Sequence, residues 1–130
     1  MEYRLELIPL PVTDVDRAKA FYADRLGFEV DLDFSPNEAF RVVQLTPPGS
    51  ACSIAIGVGL VGTPAGSVQG LHLVVDDIHA ARAELTGRGV EVAEVEAMGA
   101  PGKPTVSYAA FTDPDGNGWT LQQLPDRKAP

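Results

Sequence analysis

An internal repeat constrains this chain more than any other feature. The run Val12-Thr13-Asp14-Val15-Asp16-Arg17-Ala18-Lys19-Ala20 aligns with Val75-Asp76-Asp77-Ile78-His79-Ala80-Ala81-Arg82-Ala83, so that Asp14 meets Asp77, 63 positions on. With one gap, Gly27-Phe28-Glu29-Val30 meets Gly89-Val90-Glu91-Val92, and Thr46-Pro47-Pro48-Gly49 answers Asp113-Pro114-Asp115-Gly116. A sequence that repeats itself at this period builds one supersecondary unit twice. At 130 residues, two independent domains would each be too small to bury much apolar surface, so the halves are expected to form one domain over residues 1–130.

Each half reads as βαβββ. Residues 3–12 alternate apolar and polar in part and end at Thr13 and Asp14, either of which serves as a helix N-cap. The helix predicted next runs to Leu26, with Val15, Ala18, Phe21, Tyr22 and Leu26 at helical spacing and Gly27 positioned for the left-handed C-terminal turn. Strands are predicted at Phe28–Asp33, Phe40–Leu45 and Cys52–Val58, the last two joined as a hairpin through Thr46-Pro47-Pro48-Gly49-Ser50. The second half repeats the pattern with strands at Leu71–Val75, Val90–Val95, Val106–Thr112 and Trp119–Gln123 and a helix at Ile78–Arg88. The repeats span about residues 3–58 and 70–124, and the Gly-, Pro- and Ser-rich residues 59–69 between them read as a linker.

Composition narrows the function classes. Eighteen acidic against ten basic residues give a net charge of −8, which repels nucleic acid in the absence of a Lys/Arg cluster. No basic flank leads a long apolar stretch, so neither secretion nor membrane insertion is expected. Cys52 is the single cysteine and cannot form an intrachain disulfide, which agrees with a cytoplasmic location. It lies in an apolar run and reads as a structural thiol. The glycines at 57, 59 and 62 open no helix and make no dinucleotide loop.

Certain residues carry a resemblance to a known family. Pro11 through Phe21-Tyr22, followed by Leu26-Gly27-Phe28, then Leu73-Val74-Val75-Asp76-Asp77-Ile78 and Phe111-Thr112-Asp113-Pro114-Asp115-Gly116-Asn117, resemble the vicinal oxygen chelate superfamily of glyoxalases, bleomycin-resistance proteins and extradiol dioxygenases. The resemblance implies an α+β fold whose two βαβββ repeats form a curved mixed sheet around a cavity. It also implies a homodimer and, in many members, a divalent metal held by one inward residue from each of four strands. Carried over, those positions are Leu7, Ser53, Gly70 and Thr120. Leu7 and Gly70 offer no donor, and neutral hydroxyls are poor ligands for a dication, so no metal and no other cofactor is expected. A register two residues onward places Pro9, Ala55, His72 and Gln122 together, of which only His72 and Gln122 could ligate.

The candidate ligand-binding residues are therefore Leu7, Arg41, Ser53, His72, Tyr108, Thr120 and Gln122. Arg41 and Tyr108 hold equivalent positions and are expected to face inward with Val43 and Ala110; Arg41 would grip an anionic group or else form surface salt bridges. His72 reads either as a hydrogen-bonded packing residue or as a catalytic acid/base oriented by Gln122. Trp119 has the opposite parity from Thr120 and belongs to the core. Ala93–Thr105, which carries Glu94, Glu96, Met98 and Lys103, reads as a solvent loop or a lid. The expected function is metal-independent binding of a small molecule; the alternative is a lyase, isomerase or dioxygenase that uses a divalent metal or His72.

Overall fold

A computed structural model describes residues 1–125. The chain forms two compact units: residues 1–68 with 113–117, and residues 69–112 with the segment from Gly118. Each carries a four-stranded mixed sheet and a helix, so the α+β fold with two repeat halves is present.

The first unit contains β1 (Leu7–Pro9), α1 (Val15–Ala20), β2 (Glu29–Asn37), β3 (Phe40–Thr46) and β4 (Ser53–Val58), in the sheet order β1-β4-β3-β2. β1 is shorter than the alternation of residues 3–12 predicted; at its C-terminal end Pro9 and Pro11 have no N–H to extend the ladder. Asp14 caps α1 by accepting from Arg17 N. The predicted helix then changes pitch: Phe21–Arg25 is a π turn in which Leu26 N bonds Phe21 O at 3.1 Å. The wider turn lets the adjacent rings of Phe21 and Tyr22 both enter the core. Gly27, at φ +77°, reverses the chain into β2.

α1 packs on β4. Antiparallel register places Val43 opposite Ile56 and Leu45 opposite Ile54, and these four are buried as one face of the sheet. Gly57 is required at its position, since a Cβ there would lie 1.8 Å from Arg41 O.

The second unit contains β5 (Leu71–Val74), α2 (Ile78–Gly87), β6 (Glu96–Met98), β7 (Val106–Thr112) and β8 (Gly118–Gln123), in the order β5-β8-β7-β6. Asp77 caps α2 through Ala80 N, and α2 packs on β8 and β7. The buried face is Ala109, Phe111, Trp119 and Leu121, with Phe111 and Trp119 stacked at 6.3 Å and 8°. Trp119 is thus a core residue.

The strand predicted at Val90–Val95 is absent, and β6 starts only at Glu96. The alternation there is real, since Val90 and Val92 are buried, but the carbonyls of Val92 and Ala93 accept from the Arg82 guanidinium instead of a neighbouring strand. Burial set the period-two pattern; the Arg82 side chain took the carbonyls of Val92 and Ala93, and Ala93 N keeps a single bond to Ala110 O of β7, at 2.8 Å.

Candidate functional site

In the second unit the register sorts the faces. Tyr108 opposes Gln122, Ala110 opposes Thr120, and Thr120 also opposes His72 across the parallel pair. These residues share the face opposite Phe111 and Trp119. His72 Nδ1 lies 2.9 Å from Gln122 Oε1. An amide oxygen only accepts, so Nδ1 carries a proton, and in the neutral ring Nε2 is left as an acceptor. The Tyr108 ring meets the imidazole edge-on at 6.0 Å and 89°.

A groove of about 440 Å³ opens on this face, lined by His72, Tyr108, Ala110 and Thr120 together with Ala93, Glu94, Glu96 and Met98. A second groove of about 540 Å³ shares Ala93, Ala110 and Thr120 with it and extends past Gly70, Glu91, Thr112 and Trp119. Both volumes suit a drug-sized molecule, and apolar walls with a few convergent polar groups are the usual makeup of such sites.

Register also corrects the position expected of Gly70. It precedes β5 at φ +81°, and the residue opposite Thr120 is His72. The two candidate layers drawn from the sequence, one holding Thr120 and the other His72, are therefore a single layer in this unit.

The first unit departs further from expectation. Arg41 does not share a face with Ser53. It opposes Val58 and lies on the side of Val43, while Ser53 lies on the side of Gln44 and Leu7. Its guanidinium is spent on Asp33 through two bonds of 3.0 and 2.8 Å and on Asp16 of α1 at 2.9 Å. Val43, also expected inward, is wholly buried in the core. The equivalence with Tyr108 failed because the alignment of the third strands is off by one residue, which reverses side-chain parity.

The ion pair holds the Asp33 carboxyl well below its ordinary range, first through the Arg41 hydrogen bonds and then through Lys19, whose Nζ lies 2.9 Å away.

Ser53 and Leu7 are opposite one another, but Ser53 is buried and its hydroxyl is engaged. Thr46 donates its only hydroxyl hydrogen to Asp31, so Ser53 must donate to Thr46 Oγ1 at 2.6 Å while accepting from Gln44 Nε2 at 3.3 Å. Leu7 remains 38% exposed. Asp31 and Gln44 were not foreseen; the exposed Asp31 enters this network at a β-bulge between Val30 and Leu32 that no local pattern announces.

The donor set does not fit a divalent metal. Among the described residues no group of three or more His, Cys, Asp and Glu side chains could hold one. The family's positions supply an aliphatic chain, a glycine and two hydroxyls, one of them committed to Thr46, with His72 the only imidazole in reach of the pattern.

Comparison with known proteins agrees with the geometry. The family model of the Glyoxalase/Bleomycin resistance protein/Dioxygenase superfamily matches residues 4–121. TnmS3, an antibiotic binding protein from Streptomyces sp. CB03234, is 34% identical over 95% of this chain and 97% of its own, with a TM-score of 0.78. A glyoxalase/bleomycin resistance protein from the same organism is 35% identical over 92% and 100%, TM-score 0.74. A superfamily member from Sphaerobacter thermophilus DSM 20745 is 30% identical over 94% and 98%, TM-score 0.75. No curated protein matches. Among the described residues no helix is long and apolar enough to cross a membrane.

Proposed function

The chain belongs to the glyoxalase/bleomycin resistance protein/dioxygenase superfamily, and from that premise we propose that it binds and sequesters a small molecule without a metal. The observation that carries this reading is the second unit's groove, in which the His72–Gln122 pair fixes one imidazole tautomer against the Tyr108 ring. Such a site offers a preset hydrogen-bond acceptor beside an aromatic wall, the means of orienting an aromatic ligand. The antibiotic-binding neighbour supports the ligand class.

A homodimer is part of the proposal. The exposed Leu32 and Phe34 on edge strand β2 support it, because apolar side chains on an open sheet edge favour pairing with another chain. The free thiol of Cys52 supports a reducing, cytoplasmic setting.

A second reading rests on the same imidazole: Nε2, free of its proton, would act as a general base in a metal-free enzyme. Native mass spectrometry with a thermal-shift screen of aromatic and glycopeptide-like compounds tests the binding reading. A ligand at 100 times its Kd adds about 2.7 kcal/mol of stability, and His72→Ala is expected to weaken the shift. Failure of every compound to stabilise the protein counts against sequestration, and turnover that His72→Ala abolishes moves the assignment to catalysis.

A further inference from the structure

The charged and fixed polar groups around the second unit's groove are hydrogen-bond acceptors. In the neutral ring His72 Nε2 is one, because Nδ1–H is given to Gln122 Oε1. Glu94 and Glu96 line the same groove, and Glu91 lines the adjoining one. None of these three carboxylates has an ion-pair partner among the described residues, and no Lys or Arg there lines either groove.

The cation that touches the acidic segment is already committed. Arg82 donates to Val92 O at 3.1 Å and to Ala93 O at 2.8 Å, and so pins the backbone between Glu91 and Glu94. Thr120 and Tyr108 contribute hydroxyls that serve as donor or acceptor and oppose neither sign of charge. Tyr108 and Met98 add a ring and a thioether, surfaces that favour an apolar body and, for the ring face, an attached cation.

We infer that this groove selects a cationic ligand, an amine, amidine or guanidinium carried on an apolar or aromatic body, over neutral and anionic molecules of the same shape. The inference rests on the small-molecule reading and narrows it. An ammonium supplies the donors that the imidazole and both carboxylates lack, through charge-assisted bonds roughly twice as strong as neutral ones. An anion meets two carboxylates and, among the described residues, no basic side chain. Because the two grooves share Ala93, Ala110 and Thr120, an extended ligand with a second cationic group would reach Glu91 as well.

Isothermal titration calorimetry on the full chain decides the matter with three probes of one shape: 2-naphthylmethylamine, 2-naphthylmethanol and 2-naphthoate. The amine is expected to bind at least about ten-fold more tightly than the alcohol, with the carboxylate weakest and the preference shrinking at high salt. Glu94→Gln with Glu96→Gln should collapse the amine-to-alcohol ratio toward one, while Glu38→Gln, an exposed carboxylate on the β2–β3 turn that lines neither groove, leaves it in place. Equal or tighter binding of the alcohol or carboxylate overturns charge selection and leaves small-molecule binding standing. Absence of binding by all three overturns the reading of the groove itself, and the selection with it.

Discussion

Four donors converge on the Asp113 carboxylate: the Tyr22 hydroxyl and the Asn117 side-chain amide at 2.8 Å each, and the N–H groups of Asp115 and Asn117 at 2.9 Å each. The carboxylate is buried, so removing it strands several donors away from water. Asp113→Ala is expected to cost about 2–4 kcal/mol, and Tyr22→Phe about 1 kcal/mol, in urea unfolding. At Arg41 the expectation is smaller, because its partners Asp33 and Asp16 are partly exposed. Since Asp33 titrates below its ordinary value, the pair's stabilisation is complete above about pH 4 and is lost as pH falls further. Wild type should therefore lose about 1 kcal/mol more than Asp33→Asn between pH 5 and pH 2.5 in chemical denaturation. At this scale the sequence announced the Asp-Pro-Asp-Gly-Asn turn clearly, but it could not show that Arg41 is consumed by Asp33, 8 residues back, since that depends on which face of β3 the guanidinium leaves.

The helices and hairpins were legible because their signals are local. Asp14 and Asp77 cap the two helices as the repeat suggests, and Asp77→Ala should cost about 1 kcal/mol by loss of the bond from Ala80 N. Gly57 is different: its need arises from the close approach of the Arg41 carbonyl on the neighbouring strand. Gly57→Ala should destabilise by roughly 2 kcal/mol or more, read as a lower thermal midpoint, because the contact is with backbone and cannot yield. The missing strand at Val90–Val95 shows the limit of periodicity, which reports burial and says nothing of which group takes the backbone hydrogen bonds.

For the whole molecule the testable claim is metal independence. Protein purified without an affinity tag should hold substoichiometric iron, manganese, nickel and zinc by elemental analysis, and its thermal midpoint should not move with EDTA. A stoichiometric metal lost on chelation, with a falling midpoint, would overturn the donor argument built on Leu7, Ser53 and Thr120. The repeat, the cap residues and the alternation of β7 and β8 determined the architecture without help, because each acts over a few neighbouring residues or one hairpin. Register across strands distant in sequence was decided only in the folded chain. It made His72 the partner of Thr120 and Gln122, turned Arg41 away to Asp33, and sealed Ser53 behind Thr46 and Gln44. A slip of one residue reverses every side chain on a strand, so the chemistry of this site rests on a quantity that no local pattern encodes.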